Sequence, residues 1–369
     1  MITRRAFAVC TPWLAAGPLA LCACIQTPAA DGYEALAGRT WRLGSTTGLD
    51  GPSISRELVR YATLAPSSHN TQCWRFTLAA NGRSITVQPD LARRCPVVDP
   101  DNHHVFVSLG CATENLIQAA LSHGFNGQAQ FDGVTDAVHV KLEPIRAQIT
   151  ALFKAIALRQ STRGDYDGKP LSGEELALLQ RAGSSDKVLM LLLTERSVME
   201  QVLDYVTQGN TAQLADAAFV KELKTWIRFN AADAIRMRDG LYSVSSGNPN
   251  IPTWIGDLAF RMILTPKGEN DKYARQVRSS AGIAVFVGQA ADKANWVEVG
   301  RSYERFALQA TALGIRNALL NQPIEVAALR PSFAAALGLA GRRPDLVVRF
   351  GRGPLLPRSL RRPPEAVLV

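Results

Sequence analysis

The sequence predicts an α+β fold in two packed halves, the second enlarged by an insertion, and three observations predict it. Short apolar stretches suited to strands alternate with long helical text, a pair of helices recurs with matching endings, and the second copy of that pair is spread further apart than the first. At 369 residues the chain can bury a large core. A composition of 47% hydrophobic and 20% charged residues is ordinary for a soluble protein and indicates neither a disordered chain nor a polytopic membrane protein.

In chain order, Thr3-Arg4-Arg5-Ala6-Phe7 precedes an apolar run from Ala8 to Ile25 that Pro12, Gly17 and Pro18 interrupt. A twin-arginine start and a modest apolar run have the form of an export signal, and the run is too broken for a good membrane span. Ala29-Ala30 suits a signal peptidase, whereas Leu21-Cys22-Ala23-Cys24 suits lipidation of Cys24. The expected organisation is therefore an export signal over residues 1–30, a first half over 31–150 and a second half over 151–369. The expected location is periplasmic, with a membrane-anchored lipoprotein as the alternative. Removing Arg4 and Arg5 lowers the net charge from +9 to +7. Cys73, Cys95 and Cys111 remain, and they suit small packed side chains rather than a disulfide framework or a zinc site.

Ile54, Leu58, Tyr61, Ala62 and Ala65 share one face of a helix that Pro66 ends. Trp74, Phe76 and Leu78 then alternate with polar residues as a half-buried strand. Between them lies Pro66-Ser67-Ser68-His69-Asn70-Thr71-Gln72-Cys73, a capped turn or a set of hydroxyls and amides facing one ligand. His69 lies within this stretch, either with the ligand-facing set or simply facing solvent. Further strands are expected at Ile85–Val87, Val138–Leu142, Val188–Leu193, Ile283–Val287 and Leu346–Phe350.

The repeat has two parts. Glu57-Leu58 leads through a helix to Ser67-Ser68, as Glu175-Leu176 leads to Ser184-Ser185, a shift of 184 − 67 = 117 residues. Glu114 runs through an apolar helix to Gly124, as Glu304 runs to Gly314, a shift of 314 − 124 = 190 residues. The second half thus holds 190 − 117 = 73 more residues between the two helices, placed at about 195–268. Within them Phe219–Ile235 has amphipathic helical text with Trp226, and Ser243–Pro252 is a loop. Trp254, Ile255, Leu258, Phe260 and Met262 predict an ordered, packed lid.

Arg159-Gln160-Ser161-Thr162-Arg163 can set two guanidinium groups and a hydroxyl around one phosphate. Ser172-Gly173-Glu174-Glu175 after it is a capping box. Arg342, Arg343, Arg349, Arg352, Arg358, Arg361 and Arg362 crowd the C-terminal region. Without a motif or interleaved aromatics they suit an anionic ligand better than nucleic acid. His103-His104 suits a loop pair better than a metal site, and no metal is expected. Dinucleotide, phosphate-loop and serine-hydrolase signatures are absent.

The order Pro66-Ser67-Ser68-x-Asn70-x-Gln72-x-Trp74 after a helix, together with Arg159-x-Ser161-x-Arg163, resembles the nitroreductase superfamily of FMN-binding flavoproteins. Within it the chain looks most like the fused, tandem, Acg-like branch. Cys73 stands where that family usually has proline. The resemblance implies a nitroreductase-like fold in which two fused half-units form an intrachain pseudo-dimer, monomeric overall, with a helical lid insertion. It implies FMN as cofactor, with Arg159, Ser161 and Arg163 on the phosphate and ribityl chain. Pro66, Ser67, Ser68, Asn70 and Gln72 would reach the cofactor from the other half. Gln322, Pro323 and Glu325 of Asn321-Gln322-Pro323-Ile324-Glu325 would lie along the ring edge. Arg361 and Arg362 would close on the phosphate, and Ser280 would face the ribityl chain. The implied activity is flavin-mediated two-electron transfer from a small-molecule donor to a nitroaromatic or quinone-like acceptor, with no obligatory side-chain nucleophile. The alternative is a flavin-sequestering protein whose lid covers FMN and allows little turnover. Each half carries the motif that the other lacks, so the serine-asparagine turn and the arginine pair must meet in one pocket.

Overall fold

The computed structural model describes residues 28–369, so the expected twin-arginine signal and Cys24 lie outside the described residues. Helices α1 (Pro28–Thr40) and α2 (Gly51–Thr63) lead into strands β1 (Trp74–Leu78) and β2 (Ser84–Pro89). Helix α3 (His103–Ser122), β3 (Phe125–Asp132) and β4 (Ala137–Pro144) follow, then α4 (Ala151–Ile156) and α5 (Gly173–Gly183). Strand β5 (Val188–Leu193) precedes α6 (Arg196–Ala215), α7 (Ala217–Thr225), β6 (Ile227–Arg228), α8 (Ala231–Met237), β7 (Leu241–Tyr242), α9 (Thr253–Ile263) and α10 (Pro266–Arg278). The chain closes through β8 (Gly282–Gly288), α11 (Lys293–Ala312), β9 (Arg316–Leu319), α12 (Gln322–Glu325), α13 (Arg330–Ala336) and β10 (Leu346–Gly351). The fold is α+β, as expected.

The two large sheets have one topology. Their strand orders are β1-β2-β4-β3 and β5-β8-β10-β9, with every neighbouring pair antiparallel. In each, a 20-residue helix, α3 or α11, connects the second strand to the third. Residues 79–83 suffice to join β1 to β2, whereas 194–281 separate β5 from β8, so the inserted segment fills one hairpin connection. It continues past 268 because α10 belongs to the inserted layer. That layer covers the outer face of the second sheet: Ile283, Val285 and Val287 pack on Met199, Val206 and Val277, while Ala284 and Phe286 face the main core. Strand β8 is therefore buried on both faces and carries a continuous apolar run, whereas β1 alternates.

All six expected strands are present. Strands β3 and β9 were not expected, because Phe125-Asn-Gly-Gln-Ala-Gln-Phe is largely polar and β9 has four residues. Both are sheet edges, where one side needs no packing partner. Two other expectations are corrected. The helix over Phe219–Ile235 is broken at Trp226: Arg228 turns inward to Asp239, and Asn230 caps a new helix by accepting from Asp233 N at 2.9 Å. Of the apolar residues expected to pack the lid, Phe260 is buried against Phe229, but Trp254, Leu258 and Met262 lie on the exposed face of α9.

Helices α3 and α11 form the centre of the molecule and cross where two glycines let the backbones touch. A Cβ on Gly110 would lie 2.0 Å from the Val297 carbonyl oxygen, and one on Gly300 would lie 1.9 Å from that of Val107. Both residue pairs are 190 apart (300 − 110 and 297 − 107), so the contact is reciprocal, as in a two-fold interface. Helix α3 is also long and apolar enough to cross a membrane, yet here it is a buried core helix.

Residues beyond β10 return to the first sheet. Phe76 N donates to Val367 O at 2.8 Å and Val369 N to Phe76 O at 3.0 Å, adding a short parallel partner at the β1 edge. Thr162 N likewise donates to Asn317 O at 2.9 Å on the edge of β9. These crossings bring both motifs to the seam between the sheets.

Candidate functional site

Pro66 fixes the exit of α2, and the chain then makes an unusual turn. His69, Asn70 and Gln72 all have positive φ, at 48°, 54° and 54°. Such left-handed conformations cost non-glycine residues about 1–3 kcal/mol each and persist where surroundings over-determine them. The surroundings here are specific. Ser67 Oγ accepts from Gln72 N at 2.9 Å, and Asn70 Nδ2 donates to Gly240 O at 2.9 Å and Leu360 O at 3.2 Å. Gln72 Nε2 donates to Arg238 O at 2.9 Å, while its Oε1 accepts from Arg362 N at 2.7 Å. Gly240 itself requires glycine, because its φ is +71° and a Cβ would come within 2.4 Å of Trp226 O. Thus the insertion and the C-terminal segment together hold the turn.

Three guanidinium groups converge beside it. Arg159, Arg358 and Arg361 lie 5.9, 5.3 and 4.9 Å from the centre of the Trp41 ring. Arg159 Nη2 donates to Leu64 O at 2.8 Å, and Arg361 Nη2 donates to Leu64 O and Ala65 O at 3.3 and 3.2 Å, capping the end of α2. Glu304 faces the cluster, 3.2 Å from Arg159 Nε. Burial outweighs that cation and pushes the Glu304 carboxyl up to about 7. Burial, then the nearby Arg159, pulls the Arg361 guanidinium down to about 9. Like charges are thus crowded with incomplete compensation, and Arg159 Nη1, Arg361 Nε and the Ser245 hydroxyl are buried donors without a protein partner. A multivalent anion would satisfy such donors.

The space between these groups has two compartments. The smaller, about 50 Å³, is walled by Trp41, Asn70, Arg159, Ser161, Arg358 and Arg361. The larger, about 220 Å³, is walled by Ser68, His69, His104, Tyr273, Tyr303 and Glu325, among others. Pro66, Ser67, Arg163, Leu241 and Leu319 line both, so the compartments form one cleft. Arg163 stands at their junction, and among the described residues it has no carboxylate within ion-pair distance. Burial lowers its guanidinium from the ordinary arginine value. Arg349 holds the loop that presents it: buried in β10, it donates to Thr162 O at 3.2 Å and Gly164 O at 2.8 Å and stacks on Tyr166.

Of the residues singled out from the sequence, Pro66, Ser67, Ser68, Asn70, Arg159, Ser161, Arg163, Gln322, Glu325 and Arg361 line the cleft. Four do not. Gln72 and Arg362 bond one another across the turn and brace it from behind. Ser280 is buried beneath β8, its hydroxyl donating to Gln276 O at 2.6 Å. Pro323 packs inward at the start of α12. The cation cluster is also mostly structural: Arg343 pairs with Asp101 at 2.7 Å, Arg352 with Glu175, and Arg342 caps Gly288 O, leaving Arg358 and Arg361 at the cleft.

For His69 one of its two alternatives is realised, and the loop expected at His103-His104 is replaced by a helix. His69 faces the larger compartment instead of solvent, with Nδ1 3.4 Å from Cys95 Sγ, and burial lowers its imidazole to about 4. His103 and His104 open helix α3 and are buried, because Asp99 accepts from His104 N and Val105 N at 3.1 and 3.3 Å and starts the helix there. Trp41, His104, Gln213 and Tyr273 were missed. None belongs to a local motif, and they meet only through tertiary packing.

No family model matches the chain. The Mycobacterium tuberculosis H37Rv protein named "Putative NAD(P)H nitroreductase Rv3131" is 25% identical over 308 residues, 81% of this chain and 85% of that protein, and its strain CDC 1551 counterpart matches equally. Among solved structures, a Bacteroides fragilis nitroreductase with bound FMN is 16% identical and covers 56% of this chain and 89% of its own, with a TM-score of 0.34. The FMN-dependent nitroreductase NfnB from Mycobacterium smegmatis, in complex with NADPH, is 13% identical, covering 55% and 87%, with a TM-score of 0.38. The sequence similarity to these mycobacterial proteins, named as nitroreductases, extends across both halves of the chain.

Proposed function

We propose that this protein is an FMN-binding oxidoreductase that transfers two electrons from a small-molecule donor to a nitroaromatic or quinone-like acceptor. One observation carries the reading: the strained turn of the first half and the arginines of the second line a single cleft with a cationic end and a roomier end. The unpartnered buried donors at the cationic end suit a phosphate. Arg159, Ser161, Arg358 and Arg361 would hold it, and Ser67 and Asn70 would approach from the other half. Arg163, at the junction, places a positive charge where it would stabilise the anionic reduced cofactor. When bound, FMN supplies the hydride chemistry. The name of the mycobacterial relatives supports a reduced nicotinamide as donor.

A second reading is a flavin-holding protein with little turnover. It is favoured by the inserted residues Asn210, Gln213, Phe219, Leu223 and Tyr273, which wall the roomier end and restrict access to it. Reduction of the bound flavin by NADH, NADPH or dithionite, followed by reoxidation with a nitroaromatic, separates the two. Rapid cycling excludes storage, and a flavin inert to every physiological donor excludes the reductase.

The purified protein should be yellow and release FMN on denaturation. Arg358→Ala is the most direct probe of the phosphate end, because Arg159 also compensates buried Glu304. Losing one charge-assisted contact worth about 1.5–3 kcal/mol should weaken FMN binding roughly 10- to 150-fold. Unchanged affinity would refute the assignment. The common sheet topology and the reciprocal helix contact favour duplication of one unit, fused as a monomeric pseudo-dimer. Export of the folded protein through a twin-arginine signal completes the proposal, and the mass of the mature N-terminus distinguishes cleavage near Ala30 from lipidation at Cys24.

A further inference from the structure

Inside the larger compartment, one acid–base pair stands apart from the walls around it. His104 Nε2, at the start of α3, lies 3.3 Å from Glu325 Oε1 in α12, so the pair spans the two halves. The second carboxylate oxygen of Glu325 accepts from Gln213 Nε2 at 2.6 Å, which fixes its orientation from the insertion. Both members line the cleft. Stability alone gives little reason for them, since a buried ion pair is often no better than apolar residues of equal volume.

Resting on the flavin reading above, we propose that the His104–Glu325 pair donates the proton that accompanies electron transfer to an acceptor bound in the larger compartment. A quinone there takes two electrons and one proton as hydride from the reduced cofactor onto one oxygen. The second proton, shared between Nε2 and Oε1, goes to the other oxygen. The products are a hydroquinone, oxidised cofactor, neutral imidazole and carboxylate, and water later returns the proton to the pair. The reducing equivalents come from the donor that reduces the cofactor, such as a reduced nicotinamide or dithionite.

The surroundings select His104 among three neighbouring imidazoles. Burial opposes its charge, but the hydrogen bond to Glu325 and the charges of Asp99 and Glu325 prevail and hold it above the ordinary imidazole value. Asp345 and Arg343, ahead of β10, also face it, with opposite signs. His103, bonded to Asp345 Oδ1 at 3.1 Å, is held neutral by burial, as is His69 across the compartment. On the other member, burial is again outweighed: His104 keeps Glu325 below the ordinary carboxylate value. His104 is thus the one imidazole of the three whose surroundings favour the charged form.

The test uses flavin-loaded protein reduced anaerobically with dithionite and mixed with benzoquinone or with ferricyanide, which takes one electron and no proton. In the wild type, quinone reoxidation should be full at low pH and fall as pH rises past the ordinary imidazole range, while ferricyanide reoxidation stays nearly flat. His104→Gln and Glu325→Gln should each lower the quinone-to-ferricyanide rate ratio on the order of a hundredfold, the usual scale of general acid catalysis. Independently of turnover, the His104 imidazole should titrate by NMR above the ordinary value in wild type and fall back in Glu325→Gln. Equal losses for both acceptors, a flat quinone profile, or wild-type reduced flavin that ignores quinone would each overturn the proton-donor role while leaving FMN binding intact. Protein that carries no flavin would overturn the FMN reading and this proposal with it.

Discussion

Gly300→Ala tests the central packing without assuming any ligand. Its new Cβ would sit 1.9 Å from Val107 O, whereas ordinary contact begins at 3.4 Å, so α3 and α11 must separate by about 1.5 Å (3.4 − 1.9). The obstacle is backbone in the middle of two 20-residue helices, so neither rotamer change nor fraying relieves it. Overpacking of this kind costs up to about 3 kcal/mol, against about 1 kcal/mol gained from replacing a mid-helix glycine, for a net loss of about 2 kcal/mol. With an unfolding entropy of about 2.1 cal/mol/K per residue, a loss of about 2 kcal/mol in a chain of this size should lower Tm by about 3 °C. Gly110→Ala should cost the same, and the double variant clearly less than the sum, because one separation of the helices relieves both clashes. Urea titrations of the four proteins measure this. A loss below about 0.5 kcal/mol in either single variant, the scale of an ordinary surface change, would refute the close approach, and strict additivity would refute its reciprocity.

Burial raises the Glu304 carboxyl from 4.5 to about 7, so between those values the folded chain holds a proton there that the unfolded chain releases, and the contribution of this group to stability falls as pH rises through them. Glu304→Gln should remove this falling contribution, read as the difference between the two stability–pH curves, because the like contribution of Asp345, raised by burial from 3.8 to about 6, and the opposite ones of His69 and His103, lowered by burial, are common to both proteins; identical curves would contradict the burial of this carboxyl. Gly240→Ala places a side chain at φ +71° and 2.4 Å from Trp226 O, so it should destabilise by about 2 kcal/mol or more and release Asn70, weakening FMN binding in the same titration; an Ala variant with wild-type stability would show that the loop is free to move. Cys73, Cys95 and Cys111 are buried, and burial raises their thiols, Cys73 to about 11, so alkylation mapped by mass spectrometry should reach them only on unfolding; rapid native labelling of any one would contradict that burial.

Local periodicity revealed the strands that fill the core, because burial on one or both faces writes itself into adjacent residues. Strand β3 escaped because an edge strand with Asn126, Gln128 and Gln130 has little apolar text to show. The lid was legible as an insertion but not in its packing: the apolar residues of α9 had no signal saying which of them face inward. At the site, contiguous motifs were visible. Ser67, Asn70, Arg159 and Arg163 were placed by residue type and spacing, and the structure brings them to one cleft. Trp41 and His104 were not, since their roles depend on contacts across more than a hundred residues. Gln72 and Arg362 do not line the cleft, for a related reason. Motif membership suggested the ligand side, whereas the Gln72 side chain joins the backbone of Arg238 and Arg362 behind the turn.

Residues 357–369 contribute Arg358 and Arg361 to the cleft and then pair with Phe76 at the border of the first sheet. A nascent chain that has not yet emitted them lacks two of the three cations around Trp41 and one stitch of its opening strand. On the FMN reading proposed above, cofactor capture would wait until translation has passed this stretch, and any tag or trimming that disturbs it should empty the protein of flavin before it unfolds it.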